Sequence, residues 1–222
     1  FMPRESTTSG TRMPVEFRPM HPRTLIVAIA LGLALAAGII VAWLSQAPRE
    51  PEAALVLPEP TALPAFSLLD QHGSAIDASV FEGQWDLVFF GFTHCPDICP
   101  TTLQILATAR RQLEERGVLP LPRIVLVSVD PERDTPDIIG RYVDYFGDGN
   151  LGITGDLAEI GRLTSGLGIY FQKQAANGDG YNVDHSAAVL VVDPDARFSA
   201  LFTGPHVVEQ YVRDLPILMA GS

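Results

Sequence analysis

Residues Trp85–Pro100 read Trp-Asp-Leu-Val-Phe-Phe-Gly-Phe-Thr-His-Cys-Pro-Asp-Ile-Cys-Pro and join an apolar run to the two cysteines of the chain. The run over 85–92 has almost no polar residue and several aromatic ones, which is typical of a strand buried on both faces. Residues 101–116 then place apolar side chains at helical spacing before Gly117, which predicts a helix. Because binding sites of α/β sheets form at the carboxyl ends of strands, we expect the chemistry between this strand and this helix.

Strands and helices alternate on both sides of this stretch. Apolar runs predict further buried strands over 123–129 and 151–154. Capping residues and apolar spacing predict helices that begin at Thr135 and Asp156, and a last helix over 207–219. Turn residues separate pairs of strands, which predicts three hairpins: 66–70 with 74–77, 169–174 with 181–185, and 187–193 with 198–202. Residues 64–222 are therefore expected to form an α/β thioredoxin-like sandwich with a mixed sheet.

Composition and charge exclude several classes of protein. The chain of 222 residues has 26 acidic and 15 basic side chains and a formal net charge of −11, whereas nucleic-acid binding needs clustered lysine and arginine. A hydrophobic content of 47% is too high for a disordered chain. Two cysteines are too few for a disulfide-rich scaffold, and for a four-cysteine zinc or iron–sulfur site within one chain.

The N-terminal part of the sequence predicts a single transmembrane anchor over 24–45. This stretch has no charged residue, and about 20 apolar residues at 1.5 Å each span roughly the 30 Å core of a bilayer. Arginines precede it, so the positive-inside rule places residues 1–23 in the cytoplasm as an N-terminal tail and the body outside. Residues 46–63 are rich in proline and are expected to form a semi-extended tether. We expect a single-pass protein of the bacterial inner membrane with its C-terminal domain in the periplasm, since the tail is too short for a mitochondrial presequence followed by an anchor.

A cleaved signal peptide is the alternative to an anchor. Its apolar core is usually about 7–15 residues long and precedes a small-x-small cleavage site. Ser45-Gln46-Ala47 matches that pattern poorly because Pro48 follows at once. In either case the body would lie in a compartment that permits disulfides.

Cys95 and Cys99 are four residues apart at the start of the predicted helix. Two sulfurs at this spacing can hold one metal ion, or they can close a redox-active disulfide. The positive end of the helix dipole is expected to make both thiols more acidic than a free cysteine. The plainer alternatives are a pair of inert buried thiols and a static disulfide, although a cross-link across so short a loop adds little stability on entropy grounds.

A metal ion on two thiolates needs a further ligand. Soft sulfur favours copper(I), with zinc as the competitor, and structural zinc takes four protein ligands. Histidine is the natural third donor, and the chain has five: His21, His72, His94, His185 and His206. His185 follows a predicted strand in a loop that can face the cysteines, whereas the others are better explained by the cytoplasmic tail, a turn, the direct neighbour of a cysteine or a helix start. Spacing alone leaves the third ligand open.

Three motifs in a fixed order carry a resemblance to a known family. Gly91–Pro100, Val127–Pro136 and Val183–Ser186 resemble the Sco/SenC family, whose members are membrane-anchored, thioredoxin-like copper proteins that help to assemble cytochrome c oxidase. The resemblance covers nearly all of residues 64–222. It implies the same fold, copper(I) or copper(II) as the bound metal, and subunit II of cytochrome c oxidase as a partner.

The resemblance also implies roles for single residues. Cys95 and Cys99 match the two copper-binding thiols, which would also form the redox-active disulfide, and His185 matches the third ligand. Asp130 is similar to an acid that in the family lies near the copper and is linked to partner interaction.

Three acids near the motifs each have two interpretations. Asp130 either serves a partner or simply ends a strand, with Asp134 capping the next helix. Asp97 and Asp184 either add negative charge near the metal or are solvated turn residues.

Two functions would use the same pair of cysteines. The first is a copper metallochaperone that passes copper by ligand exchange to the copper centre of the oxidase, after an upstream copper donor or thiol reductant has loaded or reduced it. The alternative is a thiol–disulfide reductase that keeps the cysteines of that copper centre reduced, with His185 incidental, so the sequence leaves enzymatic activity open. The segment before His185 lacks the proline that thioredoxins place opposite their cysteines, which disfavours general disulfide exchange. A peroxiredoxin-type peroxidase fits poorly, because Thr93 lies only two residues before Cys95.

Overall fold

The computed structural model describes residues 22–45, 50–175 and 180–220. The chain divides into two compact units, Phe1–Pro48 and Arg49–Ser222. In the first unit, helix α1 spans Pro22–Ser45; the predicted N-terminal tail lies almost wholly outside the described residues.

The described part of the chain contains no helix that combines the length and the apolar character needed to cross a bilayer.

The second unit is built on a mixed sheet of eight strands in the order β1-β10-β9-β4-β5-β6-β2-β3. The parallel strands β4, β5 and β6 form its centre, and antiparallel strands flank them on both sides. A separate hairpin pairs β7 with β8. The strands are β1 (Leu55–Ala62), β2 (Leu68–Asp70), β3 (Ala75–Ile76), β4 (Asp86–Gly91), β5 (Arg123–Ser128), β6 (Leu151–Thr154), β7 (Phe171–Lys173), β8 (Val183–His185), β9 (Val189–Val192) and β10 (Arg197–Phe202).

Among the described residues of this unit, four α-helices accompany the sheet: α2 (Ile98–Glu115), α3 (Pro136–Asp144), α4 (Leu157–Gly166) and α5 (Val208–Ala220). Helices α2 and α5 contact each other, and α3 contacts β6. Every residue of β4, β6 and β9 is buried, as is typical of strands covered on both faces. The predicted α/β architecture with a mixed sheet is confirmed, and so are the three predicted hairpins.

The tether prediction is wrong over residues 55–62. These residues form the edge strand β1, which pairs antiparallel with β10. An edge strand tolerates proline because one of its sides has no partner, and the register shifts between Val56 and Thr61, on either side of Pro58 and Pro60. A high proline content therefore does not by itself indicate a tether, since this segment is part of the sheet.

Two helix starts also differ in detail from the prediction. Helix α2 begins at Ile98, three residues earlier than expected. The N-cap residue of α3 is Thr135, as predicted, but its side chain makes no capping hydrogen bond. The predicted cap at Asp156 is confirmed, since its carboxylate accepts hydrogen bonds from the amides of Ala158 and Glu159 at 2.9 and 3.1 Å.

The segment before β1 is fastened to the last helix by one buried carboxylate. Asp214 of α5 is fully buried and accepts hydrogen bonds from the backbone amides of Ala53 at 2.6 Å and Ala54 at 3.0 Å. Arg213 donates to the same carboxylate at 2.7 Å. Hydrogen bonds to a buried charge are among the stronger ones in proteins, so this contact holds the entry to the domain in place.

We expect Asp214→Ala to lower the free energy of unfolding by about 2–3 kcal/mol, because it leaves two amides without their acceptor. The measurement is urea denaturation of the chain from residue 50 onward. The same change at the exposed Asp144 of α3 is the control and should cost less than about 0.5 kcal/mol. Equal losses in the two variants would contradict the assigned role of Asp214.

Candidate metal centre

The two cysteines lie where the parallel centre of the sheet ends. Strand β4 ends at Gly91, and a loop leads from it to the start of α2 at Ile98. Cys95 is partly buried in this loop, whose turn is closed by a hydrogen bond from its amide to the carbonyl of Phe92 at 3.3 Å. Cys99 is fully buried in the first turn of α2, and its amide donates to Cys95 Sγ at 3.4 Å. Both cysteines are free thiols. Because α2 begins at Ile98, Cys99 belongs to the helix and Cys95 to the loop before it.

A histidine from the separate β7–β8 hairpin completes the group. His185 is the last residue of β8, and its Nε2 lies 3.4 Å from Cys99 Sγ. The donor atoms of Cys95, Cys99 and His185 all lie within 4.8 Å of one another. The structure thus brings together the three residues that the family resemblance assigned as ligands, although His185 is 86 residues from Cys99.

The surroundings of His185 orient its ring toward the sulfurs. Its Nδ1 lies 3.0 Å from the carbonyl oxygen of Ser186, and since a carbonyl can only accept, Nδ1 carries the proton and Nε2 presents a lone pair. The rings of Phe89 and Phe92 contact the imidazole edge to face, with centroids 5.7 and 5.9 Å away. Burial lowers the pKa of His185 below its usual value, so the ring is neutral and able to bind a metal at neutral pH.

Burial has the opposite effect on the thiol of Cys99. Its pKa is raised well above the usual value, chiefly because the fully buried sulfur is poorly solvated when charged, and the nearby Cys95 raises it further. The expectation of a more acidic thiol is therefore wrong for Cys99, because burial disfavours its charged form. A metal that binds here must displace the proton of Cys99.

Gly91 makes room for the buried sulfur. A Cβ atom at this position would lie 3.0 Å from Cys99 Sγ and 2.9 Å from a ring carbon of Phe89. Real side chains do not approach so closely without displacing a neighbour. Glycine is therefore required at the end of β4 by the close packing of Cys99 against the strand.

A buried carboxylate that the sequence analysis interpreted differently holds the cysteine loop. Asp134 was considered as a helix cap, but its carboxylate accepts hydrogen bonds from the amide of Thr93 at 3.0 Å and from Ser128 Oγ at 2.7 Å. The hydroxyl of Thr93 donates to it as well. This contact could have been predicted from the two buried strands that became β4 and β5. If two such strands pair in parallel, the loops that follow them meet at one edge of the sheet.

The other acids do not join the group of mutually close donors found among the described residues. Asp130 is buried, pairs with Arg133 and accepts a hydrogen bond from the hydroxyl of Tyr181 at 2.7 Å. Asp97 is exposed at the N-cap position of α2 and makes no capping hydrogen bond. Asp184 is exposed and accepts a hydrogen bond from Gln174 at 2.8 Å.

The remaining histidines have other surroundings. His206 lies between the carbonyl of Ala187, 2.5 Å from its Nε2, and the hydroxyl of Tyr211, 2.7 Å from its Nδ1. His94 is exposed and lies 3.8 Å from a carboxylate oxygen of Asp134. His72 is exposed in the turn between β2 and β3, and His21 lies outside the described residues.

These observations define a class of protein: an α/β domain that places two free thiols at the end of a central strand, where a histidine from a separate hairpin meets them. The model of the SCO1/SenC family matches residues 57–220. The chain therefore belongs to this family, and the predicted family membership is confirmed.

Individual relatives agree with this assignment. The chain is 40% identical over 146 residues to the SCO2 homolog of Bos taurus mitochondria, which covers 65% of this chain and 55% of that protein. A protein from Stutzerimonas stutzeri is 34% identical over 215 residues, covering 93% of this chain and 98% of its own length. The crystal structure of Arabidopsis thaliana ScoI with copper bound superimposes with a TM-score of 0.69 at 32% identity, covering 73% of this chain and 100% of that one. The thioredoxin-like fold expected from the sequence is thereby confirmed.

We expect Gly91→Ala to lower the free energy of unfolding by about 1–3 kcal/mol, because the added methyl group pushes against Cys99 Sγ and Phe89. The control is Gly161→Ala in α4, where a Cβ would meet nothing within 4 Å. That change should stabilise the protein by about 0.5–1 kcal/mol, since alanine favours a helix. Urea denaturation of both variants checks the prediction, and effects of the same sign would contradict it.

Proposed function

We propose that this protein is a copper metallochaperone in which Cys95, Cys99 and His185 hold one copper ion as cargo. The observation that carries the proposal is the convergence of two thiols and one imidazole nitrogen within 4.8 Å. Soft thiolates favour copper(I), and an imidazole allows the same site to accept copper(II). Zinc in a structural site takes four protein ligands, and the group found among the described residues offers three.

The protein's own groups prepare the site for loading. Burial keeps His185 neutral, and the hydrogen bond of its Nδ1 to the carbonyl of Ser186 leaves the Nε2 lone pair toward Cys99. The raised pKa of Cys99 keeps a proton on the sulfur until copper displaces it, so loading releases at least one proton. Asp134 keeps the cysteine loop in place while this exchange occurs.

Release of the cargo uses the more exposed side of the site. Cys95 is only partly buried, and its neighbours Pro96, Asp97 and Ile98 are exposed. An incoming thiolate can therefore reach the metal from this side and replace the ligands one at a time. By the family resemblance, the recipient is the copper centre of cytochrome c oxidase subunit II, and a separate copper donor or thiol reductant acts upstream.

A thiol–disulfide reductase is the second candidate function. The amide of Cys99 donates a hydrogen bond to Cys95 Sγ, and Cys95 is the more accessible of the two cysteines. In this function Cys95 attacks a disulfide of the oxidase copper centre and forms a mixed disulfide, which Cys99 then resolves, leaving Cys95–Cys99 oxidised and both cysteines of the copper centre reduced. In this function His185 has no chemical part.

The two functions separate in the variant His185→Ala. A chaperone should lose copper(II) affinity by more than about 100-fold, since even the loss of an outer hydrogen-bond partner of a ligand costs 10–100-fold. It should also lose the support of oxidase assembly in cells, whereas its reduction of a small disulfide should stay unchanged. The control His72→Ala removes an exposed histidine and should match the unsubstituted protein in all three measurements.

An unchanged copper(II) affinity and full oxidase assembly in His185→Ala would overturn the chaperone proposal and favour the reductase. Metal analysis of the reduced, unsubstituted protein adds a direct check. One copper per chain supports the proposal, and preferential retention of zinc contradicts it.

We further propose that the chain is attached to the bacterial inner membrane by residues 24–45, with the domain in the periplasm. The support is the uncharged apolar sequence of this stretch and its arginine-rich flank. Within α1, apolar side chains more than half exposed occur along one long stretch: Ile26, Val27, Ile29, Leu31, Leu33, Leu35, Ile39 and Ile40.

The prediction is that the full chain stays in the membrane fraction after extraction with alkaline carbonate, whereas a chain starting at residue 50 is soluble. Protease added to spheroplasts should degrade the domain, because it faces the periplasm. Complete release of the full chain by carbonate, or protection of the domain from the protease, would contradict the proposed attachment and orientation.

A further inference from the structure

The hairpin that carries His185 is not part of the main sheet. Strands β7 and β8 pair only with each other among the described strands, with Phe171 opposite His185 and Lys173 opposite Val183. Backbone hydrogen bonds of the eight-stranded sheet therefore do not fix the position of the imidazole. Contacts of side chains must hold the hairpin against the cysteine loop.

One tyrosine provides most of the polar contacts between this hairpin and the body of the domain. The ring of Tyr181, just before β8, contacts two cations, with Arg133 Cζ and Lys173 Nζ each 3.9 Å from its centroid. Its hydroxyl donates a hydrogen bond to Asp130 Oδ1 at 2.7 Å. Its carbonyl oxygen accepts a hydrogen bond from Arg133 Nη1 at 3.2 Å. Two cations over the ring and a buried carboxylate at the hydroxyl leave the ring little freedom.

The groups that hold Tyr181 are themselves fixed to the cysteine loop. Asp130 and Arg133 pair with each other, and the amide of Asp130 donates a hydrogen bond to Ser128 Oγ at 3.0 Å. Ser128 Oγ in turn donates to Asp134, which binds the amide of Thr93 two residues before Cys95. A continuous series of contacts thus joins the cysteine loop to the hairpin.

Lys173 closes the same cluster from the hairpin side. Its ammonium group pairs with Glu132 at 2.6 Å, so the loop after β5 contacts both strands of the hairpin. On the opposite side, Arg133 Cζ lies 5.6 Å from the ring of Phe92, and Phe92 contacts the imidazole of His185. The residues around Tyr181 are therefore connected to His185, the third donor, along the hairpin backbone and through the ring of Phe92.

We propose that Tyr181 is a positioning residue that clamps the β7–β8 hairpin to the loop after β5 and so keeps His185 within reach of the two sulfurs. This inference rests on the proposed function, because positioning matters for copper only if His185 is a ligand. Tyr181 itself does not touch the donor atoms. It acts by restraining the hairpin, which keeps the imidazole of His185 beside the two sulfurs.

The test compares variants at two tyrosines of the same hairpin. Tyr181→Phe removes the hydroxyl contacts with Asp130 and Glu132, and Tyr181→Ala also removes the ring that contacts the two cations. Tyr170→Phe and Tyr170→Ala are the matched controls, since Tyr170 lies just before β7 and its hydroxyl donates to Gln172 within the hairpin. Three measurements are made: amide hydrogen exchange of β8 without copper, the rate of copper(II) loss to a chelator, and the copper(II) EPR spectrum.

In Tyr181→Ala we expect exchange of the β8 amides and loss of copper(II) each to become about tenfold faster, as the hydrogen bond and both cation contacts disappear. The nitrogen coupling of His185 in the EPR spectrum should weaken. Tyr181→Phe should show about threefold changes, and both Tyr170 variants should behave as the unsubstituted protein.

The copper-free measurement keeps this inference separate from the proposed function. If the unsubstituted protein binds no copper, the proposed function fails, and the exchange of β8 alone then decides whether the clamp exists. If copper binds, the positioning role is overturned when Tyr181→Ala changes the amide exchange of β8 without changing the rate of copper(II) loss, or the reverse. Equal effects of the Tyr181 and Tyr170 variants also overturn it, and should Tyr181→Ala fail to fold, Tyr181→Phe decides on the same criteria.

Discussion

The parallel pairing of β4 with β5 is the constraint on which the rest of the site depends. Gly91 and Ser128, the last residues of the two strands, are register partners, so the loops that follow β4 and β5 begin side by side at the same edge of the sheet. The loop after β4 carries the cysteines, and the loop after β5 carries the acids that hold the cysteine loop. Because both strands are buried on both faces, a shift of register would disrupt the close packing of their side chains on each face, and the two loops are therefore held together by the hydrophobic core.

The site places a thiol and an imidazole, two groups that can be uncharged, in a largely buried environment. Burial raises the pKa of Cys99 and lowers that of His185, so both groups carry no charge before a metal arrives. The buried carboxylates near the site have partners: Asp134 accepts hydrogen bonds from Thr93 and Ser128, and Asp130 pairs with Arg133. This arrangement avoids the cost of an unpaired buried charge. It also means that metal uptake exchanges a proton for a cation.

The sequence patterns predicted most of the fold, and the exceptions have a common cause. Buried strands such as 85–92 and hairpins with clear turns are encoded by neighbouring residues, so local reasoning found them. The prediction of a tether over residues 55–62 was wrong because it considered only the prolines of that segment, whereas the strand that pairs with it, β10, lies far along the chain. In the same way, Asp134 suits a helix cap when only the following residues are considered, but its carboxylate contacts Ser128 at the end of β5 and Thr93 in the loop after β4.

The sequence by itself determined the order of strands and helices from residue 66 onward, the two cysteines at a helix start and, through three motifs, the family. The motifs pointed to His185, but only the tertiary structure decided that its imidazole meets the sulfurs, because His185 is 86 residues from Cys99 and sits on a hairpin outside the main sheet. The tertiary structure also decided the protonation of the site. A helix start favours a thiolate by local reasoning, but the degree of burial, which depends on residues distant in sequence, keeps the proton on Cys99.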